Sequence, residues 1–204
     1  RGKDLSFLID LTGGGGAISL EKEHCLNDIL VDKKANSKYL VGYGMTELSA
    51  AVSMNHNHLH KEQSIGIPLP LTNVKVIDVD NGEELQYGQE GELLVSSPGV
   101  MMGYYKNEEE TEKVIEITTE GTRWLHTGDL AKIDEEGFVY ITGRLKRLYI
   151  TRDKDNMAYK IFPQRMEEII EQEPVVQRCG VIVVKDEDRL NVPIVFVVAR
   201  ESGN

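Results

Sequence analysis

The sequence predicts a chain of mixed α/β and β-rich character, and three observations carry that prediction. Residues 1–60 follow the order strand, loop, helix, strand, which is typical of the end of an α/β layer. Residues 61–142 contain short β-rich runs separated by turns, which indicate a distorted, antiparallel β-barrel-like subdomain. Residues 143–204 combine an amphipathic helix with two apolar strands, as at the start of a small α+β domain.

The first part is predicted to begin with a short apolar strand at Phe7–Ile9, which the glycines at 13–16 bring to an end. Ser19 is a favourable N-cap for a helix that begins at the next residue. A second strand is expected at Lys38–Val41, ending in a turn at Tyr43-Gly44. The arrangement is that of the last part of an α/β layer.

The middle part alternates clearly along Val74–Val79, which predicts a strand that leads into a turn at Asp80-Asn81-Gly82. One helix is expected at Asn107–Ile115. The residues 134–137 form a turn between the last two strands of this part. Further strands are predicted at Gly91–Ser96, Leu130–Ile133 and Phe138–Thr142.

The last part opens its helix at Pro163, which suits the first turn of a helix. The apolar side chains share one face of that helix: Phe162, Met166, Ile169 and Ile170. Strands at Cys179–Val184 and Val192–Ala199 follow, joined by a charged turn.

Composition limits the classes of partner. The net charge is -11, with 34 acidic against 23 basic residues, which argues against a nucleic-acid surface because phosphate contacts need clustered Lys and Arg. No apolar run reaches the roughly 18 residues that a transmembrane helix needs. The two cysteines, Cys25 and Cys179, lie far apart, which favours a reducing, cytoplasmic location.

Two glycine-containing segments suggest contacts with a nucleotide. The glycines at 13–16 leave room for a flat ring to approach the backbone, although a plain strand-to-helix turn is the alternative. Residues 43–47, Tyr-Gly-Met-Thr-Glu, combine a ring, a hydroxyl and a carboxylate. A carboxylate such as that of Glu47 supplies the oxygen ligand that Mg²⁺ prefers, and a hydroxyl such as that of Thr46 can donate to a phosphate. A solvated turn is the alternative for this segment.

A carboxylate and a cluster of histidines are further candidates for binding a ligand or a metal ion. Asp129 follows a glycine that permits a tight turn, and its carboxylate can accept hydrogen bonds from two vicinal hydroxyls, as in ribose. His56, His58 and His60 have the spacing of a metal cluster, but a loop is favoured because no Cys or carboxylate ligand stands nearby at metal spacing. His126 is expected to be positional rather than a general base.

Four short motifs occur in a fixed order: Tyr43-Gly44-Met45-Thr46-Glu47, Gly91-Glu92-Leu93, Thr127-Gly128-Asp129 and Gly143-Arg144-Leu145-Lys146. Together they resemble the adenylate-forming superfamily, and within it the acyl-CoA synthetases. Peptide-synthetase domains usually have proline where this chain has Met45, and aspartate where it has Lys146. The resemblance extends from Asp4 to about Arg200, over the later half of the family pattern.

The resemblance implies roles for particular residues. A loop ending in Gly15, Gly16 and Ala17 would pack against adenine. Tyr43 and Gly44 would flank the adenine or the acyl group. The remaining implied contacts are Thr46 with the α-phosphate, Glu47 with Mg²⁺, Asp129 and Arg144 with the ribose, and Lys146 at the hinge between a large and a small domain.

The implied activity is that of an ATP-dependent carboxylate:CoA ligase that acts through an acyl-adenylate, with a fatty acid as the acid and with ATP, Mg²⁺ and CoA. One alternative is an adenylation enzyme that loads an acyl carrier protein. Another, of a different class, is a regulatory module that binds a nucleotide through Asp129 and Arg144 without catalysis.

The chain departs from the family pattern in two ways. The phosphate loop and the catalytic lysine are absent, so a fragment that is inactive by itself is expected. The glycine pair that follows the hinge is also absent, and a charged insertion stands at 151–162. In that insertion Arg152, Lys154 and Lys160 either contact the phosphates of CoA or belong to a solvated loop.

Overall fold

The computed structural model describes residues 4–16 and 18–200. The chain divides into two compact units, Arg1–Ile141 and Thr142–Asn204. The predicted mixed α/β, strand-rich character is confirmed, with few helices and several open sheets. The division into 1–60, 61–142 and 143–204 stays a prediction.

The first unit begins with a four-stranded sheet in the order β1-β2-β3-β4. β1 runs parallel to β2, and the later pairs are antiparallel. Helix α1 connects β1 to β2. The bounds are β1 Leu11–Gly13, α1 Leu20–Asp32, β2 Tyr39–Met45, β3 Ala50–Met54 and β4 Ile67–Pro68.

The predicted cap of α1 is confirmed, since Ser19 Oγ accepts a hydrogen bond from the Lys22 amide at 3.4 Å. The predicted strand at Phe7–Ile9 is wrong. This segment contains a turn, in which the Leu8 amide donates to the Leu5 carbonyl, and it leaves Phe7 and Ile9 more than 70% exposed. The edge of β2 is taken instead by β1, four residues beyond Phe7.

The predicted turn at Tyr43-Gly44 is also wrong. β2 continues through both residues because Tyr43 pairs with Ser53 and Gly44 with Ala51 on β3. The chain turns later, in a short 3₁₀ helix at Thr46–Leu48. Consequently the segment 43–47 is divided between a strand and a helical turn.

The second sheet of the first unit has the order β5-β6-β8-β7, and β9 also pairs with β8. This sheet is antiparallel where β5, β6, β7 and β8 pair, and it is open rather than closed into a barrel. The predicted helix at 107–115 is confirmed as α2. The bounds are β5 Asn73–Ile77, β6 Gly91–Ser96, α2 Glu108–Val114, β7 Ile115–Ile117, β8 Arg123–Ile133 and β9 Val139–Arg144.

The core of the first unit lies on β6 and β8, the two central strands. Leu93, Leu94, Val95 and Leu125 have no exposed surface. Both strands have a hydrogen-bonded neighbour on each side, so neither lies at an edge of the sheet. The predicted strand at Leu130–Ile133 is the end of the longer β8, which also contains Asp129.

The described residues of the second unit form two hairpins, one α-helix and a short 3₁₀ helix. The charged insertion, for which a solvated loop was one alternative, forms the hairpin β10–β11. The Asp153 carboxylate holds its turn by accepting hydrogen bonds from the amides of Asp155 and Met157 and from the hydroxyl of Tyr159. The bounds are β10 Tyr149–Arg152, β11 Ala158–Ile161, α3 Pro163–Ile170, β12 Val176–Asp186 and β13 Leu190–Ala199.

Candidate functional site

A cavity of about 600 Å³ opens in the first unit between the loop of glycines at 13–16, here called the glycine loop, and the β2–β3 turn. It contains four of the residues that the sequence marks as nucleotide contacts: Gly15, Tyr43, Gly44 and Thr46. The structure thus brings together two motifs that lie 28 residues apart in the sequence, counted from Gly15 to Tyr43. The lining residues are Thr12–Gly15, Gly42–Thr46, Ser49–Ala51 and Met54.

Two glycines give this cavity its form. Gly44 lies where β2 and β3 approach closely, and a Cβ atom there would collide with the carbonyl oxygen of Ala50. Gly15 has a φ of +86°, which favours glycine, and nothing lies within 4 Å of the position that its Cβ would take. Gly16 is equally open. The loop therefore leaves room for a flat ring, while Ala17 lies outside the described residues.

Thr46 and Glu47 begin the 3₁₀ helix that follows β2. Thr46 is exposed and lines the cavity, whereas Glu47 is half-buried. Glu47 Oε1 accepts a hydrogen bond from the hydroxyl of Tyr104 at 2.9 Å, and its carbonyl accepts one from the Met101 amide at 2.8 Å. The hydrogen bond to Glu47 raises the pKa of Tyr104 above its ordinary value. Tyr104 thereby fixes the carboxylate group.

The donor set at Glu47 suits a magnesium ion that is carried by a nucleotide. Among residues 4–16 and 18–200, no three His, Cys, Asp or Glu side chains come together as a metal cage. Mg²⁺ is commonly held by one or two carboxylates together with substrate phosphates and water. One carboxylate next to Thr46, which lines the cavity, fits that pattern.

Asp129 lies on β8 and is only 4% exposed. Its Oδ2 accepts a hydrogen bond from the hydroxyl of Tyr43 at 2.6 Å. Gly128, with a φ of +69°, lies in a bulge of β8. The structure therefore connects Asp129 to the cavity through Tyr43, across 86 residues of sequence.

His126 immediately precedes this bulge on β8. Its Nδ1 is 2.9 Å from Glu92 Oε2, and its Nε2 is 3.5 Å from Glu116 Oε2. The hydrogen bond with Glu92 raises the pKa of His126 above its ordinary value. Its partners are thus carboxylates of the same sheet, and it is not among the residues that line the cavity.

Arg144 and Lys146 belong to the second unit. Arg144 is the last residue of β9 and is exposed. Lys146 is exposed in a short 3₁₀ helix at Leu145–Arg147. It follows closely on the boundary between the two units at 141/142.

The second unit contains a cavity of its own, of about 640 Å³, beside the β10–β11 hairpin. Apolar side chains from α3 and β13, such as Met166 and Val192, contribute to its wall. Arg165 lies 4.4 Å from the ring centre of Phe162. Basic side chains are numerous in this wall: Arg152, Lys154, Lys160, Arg165 and Arg189.

The three clustered histidines lie in a loop, as favoured from the sequence. His56 and Leu59 form an isolated β-bridge across a tight turn. His60 Nε2 lies 3.1 Å from Lys38 Nζ, a cation that would repel a bound metal ion.

Two residues of the site are not predicted from the sequence. One is Tyr104, which positions Glu47. It is 37% exposed, whereas its neighbour Tyr105 is 88% exposed. Glu92 contacts the bulge that carries Asp129. The motif Gly91-Glu92-Leu93 marks the region of Glu92, but no spacing rule points to its partner.

No helix of the described residues is long and apolar enough to cross a membrane. Cys25 and Cys179 are both free thiols.

Comparison with known protein families gives one match by profile. Residues 1–105 match the family described as AMP-binding enzyme. The matched range includes the glycine loop, the segment 43–47 and Tyr104.

Curated relatives and solved structures extend the similarity over nearly the whole chain. A 4-coumarate–CoA ligase-like protein of Arabidopsis thaliana is 36% identical over 98% of this chain and 34% of its own length. A long-chain-fatty-acid–CoA ligase of Escherichia coli is 35% identical over 82% of this chain and 28% of its own length. The structure of o-succinylbenzoate CoA synthetase from Bacillus subtilis, in complex with the acyl-adenylate intermediate OSB-AMP, matches with a TM-score of 0.75 and 26% identity. That match covers 96% of this chain and 37% of the solved one. The chain spans about a third of the length of these relatives.

Proposed function

The chain belongs to the family of AMP-binding enzymes, and from that premise we propose that it is part of an ATP-dependent carboxylate:CoA ligase that acts through an acyl-adenylate. The observation that carries the proposal is the cavity of the first unit. Its open glycine loop, its Tyr43 and its Thr46 suit a purine nucleotide, and the hydroxyl of Tyr43 holds the buried carboxylate of Asp129.

In the proposed complex, adenine lies against Gly15, Gly16 and Tyr43. Asp129 accepts hydrogen bonds from the two ribose hydroxyls. These hydrogen bonds are strong because the carboxylate is charged and buried, so that little water competes for it. Thr46 donates its hydroxyl to the α-phosphate. Arg144 is proposed as a second ribose contact.

The first step joins a carboxylate oxygen of the acid to the α-phosphorus of ATP, and the bond from that phosphorus to the bridging oxygen breaks, with pyrophosphate leaving. In the second step the sulfur of CoA attacks the acyl carbon, the thiol loses its proton, and AMP leaves. The residues of this chain contribute by orienting the nucleotide and by presenting hydrogen-bond donors to the phosphate, which is the main demand of phosphoryl chemistry.

Glu47 is proposed to hold Mg²⁺ together with the phosphates of ATP. When bound, the ion would neutralise phosphate charge. Tyr104 keeps one oxygen of Glu47 fixed at 2.9 Å, which leaves the carboxylate oriented before the nucleotide arrives.

Lys146 is proposed as the hinge between the two half-reactions. Its position just after the boundary at 141/142 and in a short helical turn supports that role, since a hinge needs a few residues that absorb a backbone rotation. The basic residues Arg152, Lys154 and Lys160 are proposed contacts for the phosphates of CoA. A cytoplasmic location is supported by the two free thiols.

A fatty acid is proposed as the substrate, as for the long-chain relative. The similarity to a 4-coumarate–CoA ligase-like protein makes an aromatic acid the obvious competitor in any test. An acyl carrier protein is the competing acceptor, because the glycine pair after the hinge is replaced by the β10–β11 hairpin.

The test is ATP–pyrophosphate exchange by the intact protein with a panel of fatty and aromatic acids, with and without CoA. Exchange that depends on a fatty acid, falls at least about a hundredfold in Glu47→Gln, and yields acyl-CoA when CoA is added is the expected result. Tyr105→Phe, an exposed neighbour of Tyr104, is the control that should keep wild-type exchange. ATP binding without exchange for any acid would contradict the ligase and favour a regulatory module.

A further inference from the structure

Strands β6 and β8 lose their regular register beside Asp129. Glu92 pairs with Leu130 and Leu94 pairs with His126, so the three residues 127–129 of β8 lie opposite Leu93 alone. The amide groups of such a bulge cannot all join the ladder between the strands. Because unpaired amides are costly inside a protein, other groups must hold the bulge in shape.

Two side chains perform this task. The hydroxyl of Thr127 donates to the Leu93 carbonyl at 2.7 Å and accepts from the Asp129 amide at 3.1 Å. The amide of Gly128 donates to Glu92 Oε1 at 3.1 Å. The backbone on both sides of the Gly128–Asp129 peptide is therefore fixed by a hydroxyl and by one carboxylate on the neighbouring strand.

The second oxygen of Glu92 is also engaged. Oε2 lies 2.9 Å from His126 Nδ1, and this hydrogen bond raises the pKa of His126. The side chain of Glu92 is only 11% exposed. A buried carboxylate adds little stability compared with an apolar side chain of similar size, so stability alone does not account for an acid at this position.

We propose that Glu92 is a positioning residue for Asp129, which acts by fixing the bulge so that the Asp129 carboxylate faces the ribose hydroxyls of a bound nucleotide. The inference rests on the proposed function, which assigns Asp129 to the ribose. Tyr43 holds Asp129 Oδ2 from the cavity side at 2.6 Å, and Glu92 holds the backbone from the sheet side. The carboxylate of Asp129 is therefore held at its oxygen by Tyr43 and at its backbone by the bulge. A small displacement of the bulge would move the carboxylate out of line with the ribose hydroxyls.

The test compares the dissociation constants of ATP and 2′,3′-dideoxy-ATP for the intact protein. Wild type is expected to prefer ATP by about a hundredfold, because two hydroxyls donate to a charged acceptor. Glu92→Met keeps the size of the side chain and removes both acceptors. It should reduce the preference to less than about tenfold while the affinity for dideoxy-ATP stays unchanged. Glu92→Gln, whose amide oxygen can still accept from Gly128, should restore most of the preference.

Glu92→Asp is the second variant in case Glu92→Met does not fold, since it keeps the charge and shortens the reach to Gly128, and the same loss is expected. Glu116→Gln is the matched control, because Glu116 contacts His126 but not the bulge. A folded Glu92→Met or Glu92→Asp protein with the wild-type preference would overturn the positioning role. Equal affinity of wild type for the two nucleotides would reject the ribose assignment of Asp129 itself, and so the proposed site.

Discussion

Strands β6 and β13 are both strongly apolar, yet they differ in burial. Leu93, Leu94 and Val95 on β6 have no exposed surface, whereas Phe196 and Val197 on β13 are more than half exposed. β6 has β5 on one side and β8 on the other, while the described part of the chain gives β13 one partner strand, β12. Burial therefore depends on the elements that pack around a strand, and hydrophobic sequence alone does not reveal it.

The same difference separates the two parts of the proposed site. Asp129 and Glu92 lie on the central strands of a covered sheet, where a carboxylate can be held within narrow limits. Lys146 and the basic residues of the β10–β11 hairpin lie among exposed segments of the second unit. The sheet suits groups that must be held in a fixed position, whereas the second unit exposes its basic side chains.

The largest expected effect comes from truncating one apolar side chain in each of these two strands. Leu93→Ala removes a side chain without exposed surface and should lower the free energy of unfolding by about 3 kcal/mol. Val197→Ala removes one that is 51% exposed and should lower it by less than about 1 kcal/mol. Urea unfolding of each variant measures the difference. Equal losses would show that β13 is covered as completely as β6.

The close approach of β2 to β3 offers a second comparison, between two glycines of the cavity region. Gly44→Ala places a methyl group against the carbonyl oxygen of Ala50, so the strands must separate, and we expect a loss of about 2 kcal/mol in unfolding free energy. Gly16→Ala meets open space and should change stability by less than about 0.5 kcal/mol. Thermal melting of both variants tests this order, and a destabilised Gly16→Ala protein would show that the glycine loop is packed.

His126 gives the smallest expected effect, visible only as a change with pH. Its pKa in the folded protein is raised above the ordinary value of 6.5, chiefly by the hydrogen bond with Glu92. Protonated His126 therefore stabilises the folded state fully below about pH 6.5, and this contribution is lost as the pH rises through the raised pKa.

His126→Gln should remove this dependence. The wild-type advantage over the variant should be largest below about pH 6.5 and should shrink at higher pH, with a total of less than about 1 kcal/mol because the side chain is partly solvated. Unfolding free energies across this range provide the measurement. An advantage that grows with pH would mean that His126 is neutral in the folded protein.

The elements that the sequence predicts well are those with local signals. Ser19 before α1, Pro163 at the start of α3 and the run at β6 each carry the information within a few residues. The errors at Phe7–Ile9 and at Tyr43-Gly44 share one cause. Both depend on which segment pairs with β2, and that choice is made by residues distant in the sequence.

The site shows the same limit. Its motifs place Tyr43, Thr46, Glu47 and Asp129 among the candidates from the sequence alone. The contact of Tyr104 with Glu47 spans 57 residues, and that of Glu92 with Gly128 spans 36. No periodic pattern reports such pairs, because the sheet register and a bulge bring them together.

The most direct test of the account is photolabelling of the intact protein with 8-azido-ATP, followed by mass spectrometry of the labelled peptides. If adenine lies in the cavity of the first unit, the label should fall on residues 12–16 or 42–54, and excess ATP should prevent it. Label that ATP prevents but that falls within residues 142–200 would contradict the account, because it would place the nucleotide in the second unit.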